Sequence, residues 1–164
     1  MPSICAQCHE QGHGCCFIKE NRIPEQIGLF VSDVEKISRY INKDMTYFII
    51  QDSVTNDFRE KLANIIHPIF HKIYAHNQRL RLKSTNGKCL FLLATGCQLP
   101  IEIRPVYCRA YPFWLSKDNQ KIIVLSDDQC LAQKKSTLNW EVVNENFMYT
   151  EEELKLILRE LVTN

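Results

Sequence analysis

At 164 residues, with 45% hydrophobic and 24% charged side chains, the chain has the composition of a globular protein with a core of its own. A formal net charge of +1 argues against a general nucleic-acid binder, which carries a clear basic excess. No apolar run approaches the ~20 residues a membrane-spanning helix requires, and Met1-Pro2-Ser3-Ile4-Cys5 lacks the basic and apolar stretches of a secretory signal. The expected setting is a reducing, cytoplasmic one, with neither membrane nor nucleic acid as partner.

In chain order, residues 1–16 form a cysteine-rich leader with Gly12, Gly14 and almost no apolar side chains. Burial alone cannot order such a segment. Residues 31–50 read as helical: Ser32 and Glu35 match a capping box, and Val34, Ile37, Ile41 and Met45 recur at helical spacing. Residues 57–79 read as a second helix, with Asp57 near its start and Phe58, Leu62, Ile65, Ile66, Ile69 and Ile73 in one stripe. Pro68 should kink or divide it.

From Leu80 to Lys83 the pattern alternates, Ser84-Thr85-Asn86-Gly87 supplies a turn, and Cys89-Leu90-Phe91-Leu92 follows as a returning strand. Residues 94–112 look irregular, with Gly96, Pro100, Pro105, Pro112 and two cysteines. A second hairpin is expected from Phe113-Trp114-Leu115 to Ile122-Ile123-Val124-Leu125, with Cys130 just beyond. A polar stretch over 133–146 precedes Thr150 and Glu153, a capping box opening a terminal helix over about 150–162. Its Leu154, Ile157, Leu158 and Leu161 share a face. The expectation is one α+β domain over 1–164, its helices packed on short antiparallel β-hairpins around a cysteine-ligated metal centre.

The cysteines carry that last clause. Cys5, Cys8, Cys15, Cys16, Cys89, Cys97, Cys108 and Cys130 are an even set, so a disulfide framework and a set of inert buried thiols both have to be weighed. A chain of this size without a secretory signal fits metal binding better, and the cysteines sit beside glycines, prolines and polar residues rather than along apolar stripes. Cys5-x2-Cys8 lets two thiolates converge on one ion. Adjacent Cys15 and Cys16 point to opposite sides in an extended segment, so the pair faces two sites, or one thiol is reactive or supporting. Four early and four late cysteines are consistent with shared metal stapling the leader to the body. One site per half uses the same residues, and both arrangements stay open.

The run Cys5-x2-Cys8, Gly14-Cys15-Cys16, Gly96-Cys97 and Arg104-Pro105-x2-Cys108-Arg109-x-Tyr111-Pro112-Phe113 resembles the YkgJ-like cysteine-cluster family, whose members are described as zinc- or iron-chelating. The resemblance spans residues 5–130 and is most specific around Cys108. All eight cysteines fall at positions used by the family pattern. The spacer from Cys8 to Cys15 is longer than its compact form, and Leu131-Ala132 follow Cys130 where relatives often have Pro-Gly. The resemblance implies an iron–sulfur cluster or zinc on these cysteines, with iron–sulfur favoured by the family's oxidoreductase label. A flagellin lysine N-methylase in the family adds an alternative, an enzyme modifying a protein or peptide side chain. A zinc-folded interaction module for a protein partner is a third reading.

Arg104 and Arg109 bracket Cys108 and are the candidate cofactor-binding residues. They would offset thiolate charge, donate hydrogen bonds to sulfur or hold an anionic substrate; the plain alternative is a structural salt bridge. Tyr111, Phe113 and Trp114 read as an apolar wall beside the site. His9 and His13 are substitute ligands that eight thiols make unnecessary, and His67 and His71 read as a solvated helix face. The five glycines form no nucleotide fingerprint or phosphate loop, and no Gly-x-Ser-x-Gly elbow is present, so no catalytic residue is assigned.

Overall fold

A computed structural model describes residues 4–12, 14–17, 28–65, 78–116, 118, 121–127, 130–134 and 139–163. The chain is α+β, with short antiparallel hairpins and helices. Leader helix α1 (Ile4–Glu10) comes first, then α2 (Val31–Ile41), a 3-10 turn (Met45–Tyr47), β1 (Ile49–Ser53) and α3 (Asn56–Ile65). The middle holds β2 (Gln78–Leu82), β3 (Ser84–Thr85), β4 (Lys88–Cys89), β5 (Leu92–Leu93), β6 (Gly96–Cys97) and α4 (Val106–Ala110). Strands β7 (Phe113–Leu115) and β8 (Ile122–Val124) follow, then helices α5 (Leu131–Lys134), α6 (Trp140–Asn144) and α7 (Glu151–Thr163). No helix among the described residues is long and apolar enough to cross a membrane.

The first expected helix is shorter than 31–50. Asn42 enters the left-handed region at φ 52° and its N–H returns to the Ser38 carbonyl, closing α2. Asp44 then accepts the Thr46 N–H at 2.9 Å and turns the chain into β1, so Met45 lies outside the helix and half-exposed. The start also differs. Phe30 is the N-cap and has no acceptor of its own, and Asp33, not Glu35, reaches back to the Phe30 N–H at 3.4 Å. Asp33 is 2% exposed, and its other oxygen accepts the Val106 N–H at 3.0 Å. One carboxylate thereby serves the first turns of both α2 and α4.

The second expected helix is present as α3; the rest of it, with Pro68, His67 and His71, lies outside the described residues, and 78–82 is strand. Nor does β2 turn back on its neighbour. It pairs with β1, Ile49 opposite Leu82 and Asp52 opposite Arg79, while Asn86 and Gly87, both at positive φ, close only the two-residue hairpin β3–β4. The pairing follows burial: Leu80, Leu82 and Ile49 pack with Phe48 and Ile37 on one face. The expected irregular stretch 94–112 holds part of the small hairpin β5–β6 and α4, and the polar stretch 133–146 holds α6 and the end of α5. Hairpin β7–β8 forms with Phe113 opposite Val124. Thr150 and Glu153 exchange both capping-box hydrogen bonds at the head of α7.

Two apolar clusters result. One gathers Phe113, Trp114, Val143, Leu154, Leu158 and Leu161 with Val106 and Ala110 of α4; the other gathers Leu29, Val34, Ile37, Phe48, Phe91 and Leu99. Cys130 belongs to the first, while Cys89 and Cys97 pack against the second.

The other face of β1–β2 carries Asp52 between two arginines. Arg79 Nε is 2.7 Å from one carboxylate oxygen and Arg81 Nε 2.5 Å from the other, with Arg79 2% and Arg81 8% exposed. Burial pushes the Asp52 carboxyl up, but the hydrogen bonds and charges of the two guanidiniums outweigh it and hold the group below its ordinary range. Its stabilising contribution is thus present above the unfolded-state value and is lost as pH falls through the depressed folded-state value. Asp52→Ala removes the carboxylate that the two buried guanidiniums share and is expected to cost about 3–5 kcal/mol at pH 7. Urea unfolding checks this, and the gap between variant and wild type should narrow as pH drops below about 4.

Candidate metal centre

The leader reaches the body through backbone geometry before sulfur chemistry enters. Helix α1 lies against β6, which ends at Cys97, and against α5, which follows Cys130. After α1 the chain turns through Gly12 and Gly14, both at positive φ. A β-carbon at Gly14 would stand 3.2 Å from the Cys8 β-carbon and 3.8 Å from its sulfur, so only glycine lets this segment cross Cys8 so closely. Beyond it, Phe17 bridges to Lys88, and the Cys89 N–H donates to the Cys16 carbonyl at 2.9 Å. Cys16 is thus pinned beside Cys89. The Sγ atoms of Cys15 and Cys16 are 3.9 Å apart.

The body cysteines come from separate elements. Cys89 ends β4, Cys97 ends β6, Cys108 is the middle residue of α4 and Cys130 directly precedes α5. A backbone N–H two residues on faces the sulfur in three of them: Phe91 for Cys89, Leu99 for Cys97 and Ala132 for Cys130, joined there by Gln133. Such tight turns present N–H groups to a sulfur and favour its thiolate form. No disulfide joins the described cysteines, Cys8, Cys15, Cys16, Cys89, Cys97, Cys108 and Cys130.

The thiols sense one another in two sets. Burial pushes the Cys89 thiol up to about 12, and the charges of Cys16 and Cys97 add to the rise. Cys97 is raised by burial and by Cys16, against the pull of Arg104. Cys108 is pushed well up by burial and then by Cys16, Cys89 and Cys97. Cys16 moves the other way from these three: a hydrogen bond with Cys15 outweighs its burial, and the Arg104 charge assists. Cys130 is raised chiefly by burial, with Cys8 and Asp127 as its charged neighbours. Tyr111, whose hydroxyl donates to Asp127, is raised by burial and by Tyr107 and Asp127, and it also feels Cys15.

Arg104 and Arg109 separate clearly. Arg104 donates from Nε to the Leu99 carbonyl at 2.9 Å, while its guanidinium faces Cys97 and Cys16. Arg109 donates to the Arg104 carbonyl at 3.3 Å and holds Glu160 of α7 at 2.6 Å, and its own carbonyl accepts the Tyr149 hydroxyl. Its partners tie α4 to α7. Phe113 and Trp114 are buried, and the Tyr107 ring packs 5.7 Å from those of both Tyr111 and Trp114.

Three supporting residues were not apparent in the sequence. Asp33 holds the start of α4, and Gln133 accepts the Asp127 N–H and donates to the Leu125 carbonyl, both at 2.9 Å, which fixes the loop carrying Cys130. Asp127 receives Tyr111. No periodicity marks any of them, because their partners lie in other turns or elements. His13 and the side chains of Cys5 and His9 lie outside the described residues.

Among the described residues, no three His, Cys, Asp or Glu side chains converge closely enough to hold a metal ion as they stand. The donor chemistry nevertheless fits a soft metal: Cys16, Cys89, Cys97 and Cys108 are all thiols within one another's electrostatic reach, beside a guanidinium. No family model, curated protein or solved structure matches the chain.

These environments set an order of reactivity. In the reduced chain freed of metal, Cys16 should be alkylated by iodoacetamide ahead of Cys89, Cys97 and Cys108 at pH 7.5. Arg104→Ala should slow Cys16 severalfold, whereas Arg109→Ala should leave its rate unchanged. Time-resolved peptide mapping measures both.

Proposed function

We propose that this chain is a cysteine-ligated metal protein, related to the YkgJ-like family, that holds an iron–sulfur cluster or zinc where its leader meets its body. The observation that carries the reading is the meeting of Cys16, Cys89, Cys97 and Cys108. They lie up to 92 residues apart in sequence (108 − 16) yet each lies within reach of the others' charge, with Arg104 beside Cys97 and Cys16. Burying that many thiols side by side raises the cost of ionising them, and a bound cation reverses it.

The remaining features have a role in this reading. The N–H groups of Phe91 and Leu99 and the Arg104 guanidinium stabilise sulfur-borne charge, while Tyr107, Phe113 and Trp114 restrict water on one side. When bound, an iron–sulfur cluster supplies one-electron transfer, whereas zinc supplies cross-linking and Lewis acidity. Iron–sulfur remains favoured by the family resemblance. A reducing, cytoplasmic setting goes with it, because these thiols have to stay reduced to act as ligands.

Anaerobic purification followed by metal and acid-labile sulfide analysis tests the proposal. Iron with sulfide and a broad brown absorption identifies a cluster; zinc without colour identifies a structural centre and moves the role toward protein interaction. Cys108→Ala should lower the bound metal in either case. A wild-type chain with neither metal and with every thiol titratable would falsify the reading.

A further inference from the structure

We infer that Arg81 anchors a small oxyanion site on the polar face of β1–β2, where it takes a phosphate or carboxylate group on the guanidinium nitrogen that Asp52 leaves unmet. The site calls on no cysteine and no metal.

Strand register builds it. Successive side chains of a strand alternate between faces, so Ile50, Asp52, Arg79 and Arg81 share the face turned away from Ile49, Leu80 and Leu82. Two guanidiniums, two residues apart on β2, thereby flank one carboxylate on β1. Asp52 accepts Arg79 Nε at 2.7 Å on one oxygen and Arg81 Nε at 2.5 Å on the other.

That contact satisfies only part of the Arg81 fork. Its Nη1 is buried and has no hydrogen-bond partner. A guanidinium carries five N–H donors, keeps its charge and accepts nothing, so only an acceptor can complete it. Buried polar groups in folded proteins nearly always have a partner, and a donor left unmade is a net cost to folding. Phosphate and carboxylate oxygens match the guanidinium fork and make its strongest hydrogen bonds.

Two further features favour an anion there. The side chains are not sealed: Arg81 keeps 10% and Asp52 26% exposure, which leaves a small group an approach from solvent. Asp52 is also already held by two guanidiniums, so it repels an incoming anion less than a lone carboxylate would. Arg79 adds its positive charge to the same face.

Thermal unfolding of the full-length chain tests this, with inorganic phosphate, acetate and chloride compared at matched ionic strength. Phosphate should raise the midpoint by about 4 °C at ten times its dissociation constant, and chloride should leave it unmoved. An equal rise with acetate assigns the site to either group, whereas a rise with one anion alone assigns it to that group. Arg81→Lys keeps a cation for Asp52 but has no Nη1, and should lose the rise. Asp52→Asn removes the competing carboxylate and should bind phosphate severalfold more tightly. Calorimetric titration of the wild-type chain needs no variant and should give one oxyanion per chain. No rise and no heat with either oxyanion, or the same rise in Arg81→Lys, would overturn the site and leave a trapped water as the partner of Nη1.

Discussion

Thiols brought together out of water resist ionisation, because each thiolate must bear both its own desolvation and its neighbours' charge. Cys89, Cys97 and Cys108 show this cost: burial raises all three, and each is raised further by the charge of Cys16. The fold offsets part of it with the Phe91 and Leu99 N–H groups and with Arg104. Without metal the raised thiols stay protonated and uncharged; a bound cation would displace their protons. The proposal that one binds here rests on these four sulfurs lying within reach of one another's charge more than on any single spacing in the chain.

Polar side chains tie elements of the two apolar clusters to each other. Asp33 is the main tie, since one carboxylate accepts N–H groups from the first turns of both α2 and α4. It is buried enough that desolvation raises its own proton affinity, against the pull of the Val106 N–H, Lys36 and the Phe30 N–H. Arg109 continues the line from α4 to Glu160 of α7. Cys108 sits within this braced helix, so its sulfur is aimed by elements from both halves of the chain. The leader is different in kind: among its described residues Ala6 and Cys8 are buried, and backbone contacts at Phe17 and Cys16 supplement them.

What could be read from the sequence follows how local each interaction is. The Thr150–Glu153 box and the β7–β8 hairpin depend on neighbours within a few residues and were legible in full. β1 was not, because helical spacing from Val34 to Met45 runs on through Asn42, whose left-handed turn breaks the helix without breaking the apolar pattern. The β1–β2 pairing joins residues about 30 apart, and its preference over a simple hairpin depends on Phe48 and Ile37 on the buried face. The cysteines were recognisable as candidate ligands from their composition and context. Which of them lie within reach of one another's charge was not, since that depends on where β4, β6 and α4 meet and no spacing in the chain marks it. Arg104 and Arg109 look equivalent in sequence and part company only through Leu99 on one side and Glu160 on the other.

We propose that sulfur-bound metal, more than the packing of Ile4 and Ala6, holds the leader against the body. Amide hydrogen exchange of the metal-loaded and chelator-stripped full chain, both kept reduced, tests this most directly. Stripping should abolish protection in α1 and at the Cys89 amide, while α7, whose Leu154, Leu158 and Leu161 are fully buried, stays protected. Unchanged protection of α1 after the metal is gone would contradict it.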